Sequence, residues 1–280
     1  VEAKVSEDCI LPVRGKSCSQ NAMPYLAQKF PTYDSFASAT LTDIYTQSSL
    51  QQAQAFQVNY LESAILINDG EARFKVKPLP ELGQISPGFG VVATEVNGDG
   101  NADIYIVQNF YHPQRETGKM AGGLSVLLLG DGAGSFDQVW PNQSGLIVSE
   151  DARGLSSCDW NNDGWVDFVV SVNNGKMKLF ENNPDVSNQL NSLKLRLSYA
   201  QGNPNGVGSK VSVIMEDGTV QSDEVSAGGS YLSQSSPDLF FGVGLEKKIK
   251  SINVRWPDGK ETVNEYKKGE NIINISRNAN

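Results

Sequence analysis

Two unlike motifs recur in this chain at nearly one spacing. The stretch AILINDGEARF (64–74) aligns with VLLLGDGAGSF (126–136), and EVNGDGNADIYIV (95–107) aligns with DWNNDGWVDFVVS (159–171). A period of 60-odd residues marks a repeat architecture, in which one structural unit is used again. Each unit reads as a strand (91–94), an acidic loop, a strand (103–108), a long loop, a strand (124–129), a tight turn and a strand (135–139). Four strands per unit is the content of a β-propeller blade. Residues 61–189 then hold the last two strands of one blade, a complete second blade and three strands of a third. Propellers close with about four to eight blades. The expectation is therefore that this is the C-terminal part of a longer polypeptide, or that another chain or an upstream segment completes the ring. A compact two-sheet packing that needs no ring is the alternative.

The flanking regions have a different character. Residues 1–60 lack strand alternation and carry helix-like runs at 19–30 and 34–57, in which Phe36, Ala39, Thr40, Ile44 and Leu50 recur at helical spacing. They are expected to form a short helical insertion or extension. From 190 to 280 a new alternation begins: Leu193, Leu195, Leu197 and Tyr199 share one face, as do Ile252, Val254 and Trp256. With KVSVIM, TVQSDEV and NIINI this predicts at least five strands in a small antiparallel β-sandwich or barrel. The fold class expected is all-β, a partial propeller followed by that β domain.

A net charge of −9 and an isoelectric point near 4.7 oppose binding to nucleic acid, whose phosphates such a surface repels, and favour cations. No apolar run is long enough to span a membrane. Of three cysteines, Cys9 and Cys18 lie close together and are a candidate disulfide, with two free thiols as the alternative, whereas Cys158 reads as a small core residue.

In DWNNDGWVD, Asp159, Asn161, Asp163, Trp165 and Asp167 occupy positions 1, 3, 5, 7 and 9, with Gly164 at position 6. That order suits an oxygen-lined Ca²⁺ loop: side chains at 1, 3 and 5, a backbone carbonyl at 7, a carboxylate at 9 and a glycine at the bend. The earlier copy offers Glu95, Asn97, Asp99, Asn101 through its carbonyl, and Asp103, with Gly100 at the bend. Glutamate at position 1 lengthens one arm, which is expected to weaken binding there. Asp/Asn/Gly clusters also make ordinary turns. Against that reading, the clusters crowd three carboxylates into nine residues, and they occur twice between strands. Two structural Ca²⁺ sites are expected, and an EF-hand is excluded because strands flank both loops.

The single histidine, His112, lies with Arg115 and Glu116 in a loop of about fifteen residues, which reads either as a structural cover or as a candidate partner-binding segment. One histidine without a nucleophile motif gives no basis for a hydrolytic triad, and no catalytic residue is expected.

The strand–loop–strand units resemble FG-GAP/VCBS repeats, the calcium-loop propeller blades shared in style with integrin α subunits. The run GGSYLSQSSPDLFFGVG (228–244) with VRWPDG (254–259) resembles the ASPIC/UnbV domain of cartilage acidic protein and its bacterial relatives. The resemblance implies a secreted, cell-surface or periplasmic calcium-dependent module for adhesion or assembly, with a protein or glycan partner. The alternative is a subunit of a carbohydrate-processing or other enzyme whose active site lies in a partner or in further blades.

Overall fold

The computed structural model describes residues 2–6, 9–115, 117–184, 191–200, 202–244 and 248–278. They form two compact units, Val1–Leu61 with His112–Lys119, and Glu62–Tyr111 with Met120–Asn280. The chain is mostly β, in several small sheets with few helices.

The first unit begins with an antiparallel pair, β1 (Ala3–Ser6) and β2 (Cys9–Pro12). Five short helices follow: α1 (Lys16–Ala22), α2 (Leu26–Lys29), α3 (Tyr33–Ala37), α4 (Leu41–Tyr45) and α5 (Gln47–Gln52). They replace the two longer helices expected from periodicity. The reason is local chemistry: Pro24 and Pro31 lack amide hydrogens, and the hydroxyls of Thr32 and Thr40 accept from Ser35 N and Asp43 N, starting new helices. Leu26, Phe30, Phe36, Ala39 and Ile44 make the core of this unit, with Phe30 and Phe36 edge to face. Cys9 and Cys18 are not joined. Cys9 Sγ donates to Ser6 O and Cys18 Sγ accepts from Arg14, so each thiol is turned to a neighbour in its own segment and the expected disulfide is absent.

The second unit opens with the hairpin β3 (Ala64–Asn68) and β4 (Phe74–Pro78). A four-stranded antiparallel sheet follows in sequential order, β5 (Gly88–Thr94), β6 (Asp103–Gln108), β7 (Val126–Gly130) and β8 (Phe136–Val139). After the single turn α6 (Pro141–Ser144) comes a three-stranded sheet, β9 (Ala152–Cys158), β10 (Asp167–Val172) and β11 (Lys178–Phe180). Val92, Tyr105 and Leu127 of one sheet pack with Leu155, Phe168 and Val170 of the other. Gly90 permits the close approach of β5 to β9, because a Cβ there would lie 2.6 Å from Leu155 Cβ. Cys158, at the end of β9, is half-buried rather than in the core.

The C-terminal strands are β12 (Asn191–Ser198), β13 (Lys210–Met215), β14 (Val220–Glu224), β15 (Leu239–Val243), β16 (Ile249–Arg255), β17 (Glu261–Asn264) and β18 (Ile272–Ser276). They build a three-stranded sheet, β15–β12–β18, facing a four-stranded one, β14–β13–β16–β17. The sandwich is not wholly antiparallel, since β12 and β18 run parallel. Leu193, Leu195, Leu197, Val211, Val213, Ile252 and Trp256 fill its interior, and Trp256 Nε1 donates to Thr262.

Strand β15 serves two cores. Leu239 and Phe241 point into the sandwich, while Phe240 joins Val92, Tyr105 and Phe168 in the core of the preceding sheets. Successive side chains of a strand face opposite ways, so LFFGV can be apolar throughout and buried on both faces. A serine-rich strap leads into it. Ser230 Oγ accepts from Val91 N, Ser233 Oγ from Leu155 N and Ser235 Oγ from Ser157 N. Hydroxyls thus satisfy amides on the free edges of β5 and β9, where a neighbouring strand would otherwise bind.

Candidate metal centre

Both acidic loops join the first two strands of a sheet, 95–103 between β5 and β6 and 159–167 between β9 and β10. In the first, both Glu95 oxygens are turned onto the loop's own backbone: Oε1 accepts from Asn97 N and Gly98 N, and Oε2 from Gly100 N. Asp99 Oδ1 accepts from Asn101 N, and Asn97 Nδ2 donates to Asp99 Oδ2. Asp103 is fully buried and accepts from Val96 N and from Gly130 N at the end of β7. The second loop repeats this plan. Asp159 accepts from Asp163 N and Gly164 N, Asp163 from Trp165 N and Asn161 Nδ2, and Asp167 from Trp160 N and Asn182 N. In each copy the carboxylate at position 9 fastens the start of its loop to the third strand of its sheet, at the last residue of β7 in the first copy and two residues past β11 in the second.

The two loops differ in counter-charge. Lys194 Nζ on β12 lies 2.5 Å from Asp159 Oδ2 and 2.8 Å from Asn162 Oδ1. Among the described residues no ion pair reaches Glu95, Asp99 or Asp103. Burial pushes the Glu95 carboxyl up to about 7 and that of Asp103 up to about 6, against the opposing pull of their amide donors. Burial likewise raises Asp167. Because the folded chain holds these protons longer than the unfolded one, the two groups favour folding at the acid end of their range. Without divalent cations, their contribution is expected to fall as pH rises from about 4 to about 7, measured by urea unfolding in EDTA. Stability rising across that window would contradict the buried, uncompensated state of Glu95 and Asp103.

The loops also carry the C-terminal sandwich. A Cβ on Gly242 of β15 would lie 1.5 Å from Glu95 Oε2 and 2.3 Å from Gly100 N, so β15 runs directly over the first loop. Gln221 Nε2 donates to Gly242 O beside Gly100. At the second loop, Asn271 Nδ2 donates to Asp163 O, and Asn271 O accepts from Lys194 N. Lys194, Gly242, Gln221 and Asn271 were not marked by sequence pattern as site residues. Gly242 alone left a signal, since a glycine inside a strand-like run points to a close backbone approach.

The donor chemistry suits a hard divalent cation, because alternate residues present carboxylate and amide oxygens. Among the described residues, no group of three or more His, Cys, Asp or Glu side chains is arranged to hold a metal ion. A cation in either loop would therefore also draw on Asn97 or Asn161 and on backbone carbonyls. His112 and Arg115 are exposed and belong to the segment grouped with Val1–Leu61. Glu116 lies outside the described residues. No helix among the described residues is long and apolar enough to cross a membrane.

Residues 199–280 match the family model described as ASPIC and UnbV. The match covers the larger part of the C-terminal sandwich, including β13 to β18. No curated protein matches the chain.

Proposed function

We propose that this chain is a calcium-stabilised assembly module in which the two acidic loops are the fittings that lock an ASPIC/UnbV-type sandwich onto FG-GAP/VCBS-type blade sheets. The observation that supports this reading is the contact of loop 95–103 with β15 and of loop 159–167 with β12 and Asn271: a loop that only turned the chain would have no need of a second layer built over it. Bound Ca²⁺ would neutralise the carboxylates of Glu95 and Asp103, whose protons burial otherwise holds. The chain's own residues do the rest. Glu95 and Asp159 gather the amides of their loops, Asp103 and Asp167 fasten each loop to its sheet, and Gly242 lets β15 seat against the result.

The hairpin β3–β4 is read as half of a blade. It aligns with β7–β8, buries Ile65 against Leu79, Leu82 and Ile106, and exposes Leu66, Phe74 and Val76 on its opposite face. Its missing inner strands would come from another segment or chain, which fits a subunit of a larger secreted, surface or periplasmic assembly with a protein or glycan partner. Metal that binds only the folded chain raises its stability. At about 100-fold excess over Kd, Ca²⁺ is expected to raise Tm by roughly 5–10 °C relative to EGTA. An unchanged Tm would remove the metal from the account.

A further inference from the structure

We propose that Lys194 is a built-in counter-ion of loop 159–167, so that the two acidic loops are unequal calcium sites, the copy at 95–103 taking the ion tightly and the copy at 159–167 weakly. The inference rests on the calcium reading for loop 95–103, and reverses the order that the glutamate at position 1 suggests.

Three observations carry it. The first is burial: the Lys194 side chain is 6% exposed and that of Asp159 is 0% exposed, at 2.5 Å from one another. An ammonium held there is not a surface partner that water and salt can displace. The second is the residue at position 4. Loop 95–103 has Gly98 with φ +85°, whereas loop 159–167 has Asn162 with φ +63°, a left-handed conformation that costs little for glycine and more for asparagine. The Asn162 side chain accepts from Lys194, so the less favourable residue supplies the second acceptor of the ammonium. The third is that, among the described residues, no side-chain ammonium or guanidinium pairs with loop 95–103. Glu95 is folded back onto Asn97, Gly98 and Gly100, and the backbone of Gly242 covers it where a side chain would otherwise come.

The electrostatic consequence is direct. Each loop has three carboxylates, but in 159–167 one unit of positive charge already belongs to the protein. Calcium affinity in oxygen-lined loops follows ligand charge, and a fixed ammonium against Asp159 both lowers that charge and repels an incoming ion. Lys194 also fastens β12 to the loop whether or not calcium is present. Among the described residues the first loop has no such substitute, and it depends on the ion.

Calorimetric titration of the whole chain with Ca²⁺ tests this. The wild type is expected to bind one ion tightly, and Asp99→Asn to abolish that event. Lys194→Met is expected to add a second ion or to tighten the weak one at least tenfold, while Lys194→Arg keeps the wild-type pattern. Two ions of equal affinity in the wild type, or no gain in Lys194→Met, would overturn the proposal. If Lys194→Met does not fold, Lys194→Gln carries the same expectation. Amide exchange of the wild type then serves as the second measurement: added Ca²⁺ slows 95–103 and leaves 159–167 nearly unchanged, and equal slowing of both would overturn the proposal. A wild type that takes no ion while Lys194→Met takes one would sink the calcium reading of loop 95–103 and leave the role of Lys194 standing. A tight ion lost in Asp99→Asn, with no gain in Lys194→Met, would do the opposite.

Discussion

Gly242→Ala is expected to destabilise the second unit by about 3 kcal/mol, read as a lower midpoint in urea unfolding with little change in slope. The new methyl group would sit 1.5 Å from Glu95 Oε2 and 2.3 Å from Gly100 N. Neither neighbour can give way cheaply. Glu95 is held by three backbone amides, and Gly100 is itself backbone at φ +91°, pressed by Gln221 on its other side. The side chain therefore forces β15 away from loop 95–103, and with it the sandwich from the sheet beneath. The shorter arm found at the equivalent position of the other loop suggests a partial rescue. Glu95→Asp combined with Gly242→Ala should be less damaging than the sum of the two single changes, because both act on one contact. Near-neutral behaviour of Gly242→Ala would mean that β15 does not bear on the loop.

Phe240→Ala is expected to cost about 3–5 kcal/mol, for a different reason. Phe240 is 4% exposed and packs among Val92, Tyr105 and Phe168, although its strand belongs to the C-terminal sandwich. Removing the ring leaves a cavity in a core shared by two sequence regions. The loss should therefore appear in one cooperative transition of the second unit rather than in a separate melting of the C-terminal part. Two resolved transitions, with only the later one shifted, would show that the shared core does not couple the layers.

The repeat was legible because its signals are local. NDG and GDG turns, alternating apolar residues and the alternate carboxylates each act within a few residues, and β5 to β8 and β10 fall where those patterns indicate. The helix lengths are not legible in the sequence, because Phe36, Ala39 and Ile44 keep a helical spacing across breaks that Pro31, Thr32 and Thr40 impose. Strand β15 leaves no alternating signal of its own, since LFFGV faces two cores. The parallel pairing of β12 with β18 joins segments about 80 residues apart and leaves no local trace. Lys194 was hidden for a related reason: between Leu193 and Leu195 a lysine reads as the solvated side of a strand, and only the tertiary fold turns that side onto Asp159. The loops looked like isolated cages in sequence. Their use as a seat for another layer is a property of packing.

Amide hydrogen exchange at 95–103 and at 239–243, in Ca²⁺ and in EGTA, tests the central claim most directly, because it reads the loop and the strand seated on it in one experiment. Calcium is expected to slow exchange in both stretches together, with β15 loosening when the ion is removed. Protection of the loop alone, or exchange in both stretches that is indifferent to calcium, would contradict the account.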